Sequence, residues 1–508
     1  MTTFGLYFGT TNTCLAACKD GNLKVLANDA GDRVTPAIVS FAGGEKNIGL
    51  PAKLHLSRNA QVTICCIKQL LINEDSIDVD KIETECKIVN ENGLKYEIEE
   101  GGKIQYYSPQ DVLLLIFQKL LEIAKSHSDG EEEYCTVLTV PLHTSKNQKR
   151  MIRDIAVKAG FKILRIISEP SAALLAYTIT QKPLNIVCCI YFDSHYLIYR
   201  AGGTSVDVTV IAVVNGLYQV LSYVRKNSIG GNHFTNELVE YCIQEFLRQY
   251  KVNIKESKRS VYKLHSAAET CKNILTNMTS AQCSVESLYD GIDFTVNIGR
   301  GRFESLINNK LQECIEPIQD ALGKAKLNKE DIHKVILVGG TSKTPRLVQI
   351  ISNMFSSAEI LNSISSDEAI ALGAAAEAAL LVSEDKLEFE TEPESEIETL
   401  SETIYMKDPN NDGLIPLISK STPIPAKQEK IFTLSNLQNF IHLKFYEGPV
   451  GCSTNSNELK LLAKLILKEV PNNAEVIVNT LIKTDGSVHL TCTEKTLNKS
   501  ESILIGGT

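Results

Sequence analysis

No C-x-x-C pair occurs among the 14 cysteines of this 508-residue chain, and Cys65–Cys66 and Cys188–Cys189 are adjacent in sequence. That spacing argues against both a zinc site and a disulfide framework. The N-terminal stretch MTTFGLYFGT lacks the basic start, apolar run and small-residue cleavage site of a signal peptide. A long chain without such a signal is expected to keep its thiols reduced. Long apolar runs are missing too: Val112–Phe117 falls far short of the roughly 20 residues that cross a bilayer. There is no basic excess. A net charge of −9 is a poor basis for neutralising RNA or DNA phosphates directly. The expectation is a cytosolic protein with no membrane span, reaching any nucleic acid only through a basic partner.

What is present is the composition of a globular protein, 43% hydrophobic and 22% charged. The length implies about two to four domains. From residue 4 to about 383, strand-like runs such as Thr136–Val140 and Lys334–Val338 alternate with helical ones, as in an α/β domain. Ser108-Pro109-Gln110-Asp111 opens a helix with an N-cap, a proline at N1 and an acid at N3. Composition then shifts: residues 384–398 hold seven glutamates and one aspartate, too polar to fold alone. Short alternating segments follow, including Lys430–Leu434, His442–Tyr446, Glu475–Ile482 and Val488–Thr493, with an Asp485-Gly486 hairpin turn.

One internal repeat carries the chemistry. Leu6-Tyr7-Phe8-Gly9-Thr10-Thr11 leads into a strand, an Asp20-Gly21 turn and a second strand; Tyr199-Arg200-Ala201-Gly202-Gly203-Thr204 leads into a strand, an Asn215-Gly216 turn and another strand. Two such copies imply two similar lobes. Opposed Gly-Thr turns offer backbone N–H groups and hydroxyls to a polyphosphate from both sides. Further glycine pairs at Gly230-Gly231 and Gly339-Gly340 permit close approach of a ring or phosphate. Glu269, Lys272 and Thr276 share one helix face, which taken alone is a solvated surface.

These segments resemble the 70-kDa heat-shock protein family along almost the whole chain. The matching stretches are GTTNTC (9–14), ANDAGDRVTPAIV (27–39), ISEPSAALLAY (167–177), IGGNHF (229–234), SLYDGIDF (287–294), ILVGGTSKTPRL (336–347) and SDEAIALGAA (366–375), then STPIPAKQEKIFTL (421–434) and FYEG (445–448). The resemblance implies an α/β actin-like (ribonuclease-H-like, duplicated) ATPase domain over residues 1–383. An acidic linker over 384–400 and a small all-β sandwich over 401–508, a truncated substrate-binding domain without a helical lid, would follow. It further implies that Gly9, Thr10, Thr11 and Asn12, then Gly202, Gly203, Thr204 and Ser205, then Gly339, Gly340 and Lys343 embrace the phosphates of ATP or ADP. Gly230, Gly231 and Asp367 complete the pocket, Glu269, Lys272 and Thr276 face the adenosine, and Lys68, Glu169 and Asp207 match the catalytic lysine and two acids.

The departures from the family bear on activity. Tyr7 and Arg200 stand where the family carries aspartates that hold the water shell of Mg²⁺. A guanidinium repels that metal, though it can pair with phosphate. Mg²⁺ is therefore expected to be weakly held at most, with no protein metal site, and hydrolysis to be weak. The second turn has lost one glycine, and about ten extra residues lie around Cys188–Tyr199, judged by strand length; the hydrophobic run Leu184–Tyr199, interrupted by Asp193 and His195, reads as a buried strand or an inserted loop. An acidic linker resists docking on a sheet edge, and without a lid a peptide is not clamped. These losses resemble the short, lidless branch found in the ribosome-associated complex. They imply a stable zuotin-type J-domain partner, indirect ribosome contact, and work on nascent or unfolded polypeptide in protein folding and the stress response. The alternative is an active ATPase chaperone cycling on unfolded peptides; a metabolic kinase of the same fold lacks support because no sugar-site signature is present.

Overall fold

A computed structural model describes residues 2–72, 84–90, 93–100, 102–128, 133–179, 194–214, 217–383, 400, 402–408, 413–418, 422, 426–434, 440–449, 459–468, 471, 474–483, 487–495 and 499–506. The chain divides into two compact units, Met1–Phe389 and Glu390–Thr508. Of the acidic stretch 384–400 only Leu400 lies within the described residues, as neither the Asn215-Gly216 nor the Asp485-Gly486 turn does.

In the first unit one sheet pattern occurs twice. Strands β1 (Thr3–Phe8), β2 (Asn12–Lys19) and β3 (Asn22–Val25) form an antiparallel meander, and β4 (Cys135–Val140) and β5 (Lys162–Ser168) add in parallel on the other side of β1. The second sheet has β6 (Ser194–Ala201), β7 (Val206–Val214) and β8 (Leu217–Lys226) as its meander, with β9 (Lys334–Val338) and β10 (Glu359–Leu361) parallel to β6. Both run in the order third, second, first, fourth, fifth strand. The β2–β3 turn places Asp20 and Gly21 at positive φ, 51° and 78°, which Asp tolerates and Gly adopts freely.

Continuous apolar runs explain the inner strands. Every residue of β1 and β4 is buried, as expected of strands covered on both faces. The helices that matter to the site are α1 (Leu50–His55), α2 (Ile67–Ile72), α3 (Pro109–His127), α4 (Glu169–Ile179), α5 (Gly231–Tyr250), α6 (Lys258–Asn277) and α7 (Ala369–Ser383). Helix α3 starts as its sequence dictates: Ser108 Oγ accepts from the Asp111 amide at 3.1 Å, and the Asp111 carboxylate accepts from the Ser108 amide at 3.0 Å. Helix α7 lies so close to β1 and α4 that a Cβ on Gly5 would stand 2.1 Å from the Ala375 nitrogen. One on Gly373 would stand 1.8 Å from the Ala172 oxygen.

The stretch expected to be an insertion around Cys188–Tyr199 divides. Residues 188–193 fall outside the described residues, whereas Ser194–Tyr199 belong to β6, hydrogen-bonded to β7 on one side and β9 on the other. Those six residues are the middle of a sheet, the strand alternative, with Leu197 and Tyr199 buried on one face and Tyr196 and Ile198 on the other.

The second unit is a pair of antiparallel four-stranded sheets. One orders β12 (Leu414–Ile418), β11 (Thr403–Lys407), β14 (Phe440–Gly448) and β15 (Lys460–Lys468); the other orders β13 (Ala426–Leu434), β16 (Ala474–Ile482), β17 (Val488–Glu494) and β18 (Lys499–Ile505). Alternate residues of β16 and β17 are buried. Met406, Leu443 and Phe445 from one sheet share a core with Val476, Val478 and Leu490 from the other, the arrangement of a sandwich.

Candidate functional site

The two Gly-Thr turns meet. A Cβ on Gly203 would stand 2.3 Å from Thr11 Cγ2, so the second turn touches the first only because position 203 has no side chain. Gly231 and Asn232, at the start of α5, donate their amides to the Gly202 and Gly203 carbonyls at 3.0 and 2.8 Å. A Cβ on Gly230 would meet the Gly203 oxygen at 2.5 Å. The Thr341 hydroxyl donates to the Gly202 carbonyl at 2.8 Å. Gly339, at φ 87°, passes so close to β6 that a Cβ would stand 2.2 Å from the Ala201 oxygen. The turns after β1, β6 and β9 thus converge on one cleft of about 730 Å³, a size that takes a nucleotide.

Gly9, Thr10, Thr11, Asn12, Gly202 and Gly203 line that cleft together with Gly231, Gly339, Gly340, Lys343 and Asp367. Lys343 and Asp367 form an ion pair at 2.7 Å. Glu269, Lys272 and Thr276 line the same cleft from α6. Lys272 donates to the Gly231 carbonyl at 3.0 Å and to Thr235 Oγ1 at 2.8 Å, and burial lowers its pKa to about 8. Thr276 donates to the Asn273 carbonyl at 2.7 Å. Burial disfavours the Glu269 anion, yet Lys53 and Lys272 hold its carboxyl below the ordinary range. The Lys53–Glu269 ion pair, at 2.7 Å, joins α1 to α6. Sequence reading missed Lys53.

Two expected phosphate contacts lie elsewhere. Thr204 and Ser205 are buried, and Ser205 Oγ accepts from Arg200 at 3.0 Å. The cleft-facing part of the second turn is Gly202-Gly203, because β7 begins at Val206 and draws the chain down into the sheet.

Beside the turns sits a cluster of charge. Lys68 Nζ donates to Glu169 Oε1 and to the Phe8 carbonyl, both at 2.5 Å. Arg200 Nε lies 3.1 Å from Glu169 Oε2, and its guanidinium also pairs with Asp207. Asp207 accepts from the Tyr223 hydroxyl at 2.7 Å and lies 3.6 Å from Arg225 Nε. Lys68, Glu169, Arg200 and Asp207 are all buried. Burial lowers the Lys68 pKa to about 8 against the pull of Glu169. It opposes ionisation of both acids, but Lys68 and Arg200 hold Glu169, and Arg200 and Arg225 hold Asp207, below their ordinary values. Tyr7 stays a neutral phenol because burial pushes its pKa up; it hydrogen-bonds Arg200, and Lys68 Nζ is 5.5 Å from its ring centre. His143, at 2.9 Å from Arg225, is likewise kept neutral, burial and Arg225 lowering its pKa to about 4. The sequence pointed to Lys68, Glu169, Asp207, Tyr7 and Arg200. Tyr223 and Arg225 become visible only when β8 is laid beside β7, and His143, which follows β4, only when it meets Arg225.

Among the described residues no helix is long and apolar enough to cross a membrane, and no three of His, Cys, Asp or Glu cluster as metal ligands. A family model described as Hsp70 protein matches residues 3–508. Heat shock 70 kDa protein 14 of Danio rerio is 37% identical over 516 residues, covering 99% of each chain. Its Homo sapiens counterpart is 37% identical over 517 residues, again 99% of each. Heat shock 70 kDa protein 14-A of Xenopus laevis is 38% identical over 517 residues with the same coverage. With a nucleotide-sized cleft between meeting Gly-Thr turns and a match running from residue 3 to the last, this chain belongs to the Hsp70 family of chaperones.

Proposed function

We propose that the chain is a nucleotide-stabilised co-chaperone: ATP or ADP, held between the halves of an actin-like, ribonuclease-H-like duplicated domain, acts as a structural ligand with weak or absent hydrolysis. The observation that carries this reading is the contact of Gly203 with Thr11, which brings both turns onto one cleft. The phosphates would be held by Gly9–Asn12, Gly202-Gly203, Gly340 and Lys343, with Gly230 fixing the second turn and Asp367 orienting Lys343. The adenosine would lie against Glu269, Lys272 and Thr276. Thr204 and Ser205 support the second turn from behind.

A zuotin-type J-domain protein is the proposed partner, binding the ribosome on behalf of this acidic chain in the cytosol, and nascent polypeptide is the proposed client. A ligand that binds only the folded state stabilises it by about 2.7 kcal/mol at 100 times its Kd. Saturating ATP should therefore raise the melting temperature by several degrees, while steady-state hydrolysis stays near background with a J-domain and peptide present. An unchanged melting temperature would sink the proposal. The buried Lys68–Glu169 pair keeps a second reading in play, an ATPase that cycles on unfolded peptides. J-domain-stimulated turnover would favour it.

A further inference from the structure

Phosphate oxygens repel one another, so a bound triphosphate needs a cation among them. At the head of this cleft a cation already belongs to the chain. Arg200 is 7% exposed. Its Nε faces Glu169 at 3.1 Å, and Nη2 faces Asp207 and Ser205 Oγ. Nη1 lies on the Gly202 side, 3.0 Å from where a Cβ on that glycine would stand. Arg200 thus borders both the acids and the cleft.

Both acids are already paired with cations of the chain. Glu169 also holds Lys68, and Asp207 also holds the Tyr223 hydroxyl and Arg225. Three cations surround two carboxylates, so positive charge is in excess before any ligand enters. Behind the arginine, a small cavity lined by Glu169, Arg200, Asp207 and Tyr223 measures about 10 Å³, room for about one water. Mg²⁺ demands a full octahedron of oxygens and keeps several of its waters. Tyr7, at the matching place in the first sheet, contributes a protonated phenol that is hydrogen-bonded to Arg200. This donor set does not fit a divalent cation.

We propose that the Arg200 guanidinium takes the place of the divalent cation, so that a nucleoside di- or triphosphate binds in this cleft without Mg²⁺. The inference rests on the nucleotide reading above and names the group that neutralises the phosphates. Arginine suits the task because it remains ionised and presents several donors in a fixed plane. Two carboxylates hold that plane still.

The test is calorimetric titration of the full chain with ATP, once in EDTA and once in excess Mg²⁺, corrected for the metal's own affinity for ATP. The two dissociation constants should agree within about threefold. Arg200→Gln should weaken binding in EDTA by about tenfold or more, and Arg200→Lys should retain part of it. Should Arg200→Gln fail to fold, the wild-type comparison decides alone. A wild-type affinity that drops about tenfold on chelation and returns with Mg²⁺ would overturn the metal substitution while leaving nucleotide binding intact. No binding of ATP or ADP under either condition would remove the nucleotide reading and this inference with it.

Discussion

The two sheets of the first unit share a backbone plan and differ in the residue two places before each glycine turn. In the first sheet Tyr7 pairs across the meander with Cys14; in the second Arg200 pairs with Asp207. The first position is a neutral phenol hydrogen-bonded to the second, and the second is a guanidinium paired with two buried acids. Apolar patterning shapes both sheets alike, so the chemistry of the cleft is set by side chains that the sheet tolerates but does not require. Repetition of a fold therefore says little about repetition of its charges.

The sharpest way to break this comparison is to disarm each position. Arg200→Met leaves Glu169 and Asp207 without their shared cation, and loss of one partner from a buried pair costs about 3–5 kcal/mol. Tyr7→Phe removes one hydroxyl and should cost about 1 kcal/mol. Urea midpoints should separate the two clearly; equal losses would mean that the positions are energetically equivalent. Next in size is Gly203→Ala, expected to cost about 1–3 kcal/mol through overpacking against Thr11. Thr11→Ser, which removes the clashing methyl, should recover part of that stability. The same change should not help Gly9→Ala, whose added Cβ meets the backbone oxygen of Asn12 at 2.3 Å.

Making the halves alike in the acidic direction is the third test. Tyr7→Asp combined with Arg200→Asp should raise Mg²⁺-dependent hydrolysis by about tenfold, since metal positioning dominates phosphoryl transfer. A single-turnover assay reads it. The smallest effect is that of pH. Lys68 and Lys272 both lose their protons as pH rises through about 8, so ATP affinity should fall about threefold between pH 7 and pH 9 by loss of local charge. Over that window the same two lysines make the free protein more stable, because the unfolded chain, with ordinary lysines, binds more protons. Weaker binding at pH 9 without a lower melting temperature would separate titration from unfolding.

Much of the fold was legible locally. Strands such as Lys334–Val338 read as continuous apolar runs because both faces are covered, and β16 and β17 alternate because one face is. The cap of α3 is written in Ser108-Pro109-Gln110-Asp111. The extent of β6 was not legible, since a hydrophobic run interrupted by Asp193 and His195 fits a strand or a loop equally well. Nor was the partner of Asp207 on β8. Counting outward from the Asn215-Gly216 turn pairs Asp207 with Val224, but a bulge between Val210 and Ile211 shifts the register by one, so Asp207 faces Arg225. A one-residue slip turns every side chain to the opposite face.

By itself the sequence determined the family, the duplicated α/β plan and the glycines, because these depend on patterns within short windows. It also showed that an arginine precedes the second turn. Only the tertiary structure decided what that arginine does. Glu169 and Asp207 come from different elements, and their distance from a guanidinium depends on how α4, β6 and β7 pack. Read alone, Arg200 was a charge repelling a metal; folded, it is a cation held by two acids, since Coulomb energy depends on separation in space and not along the chain.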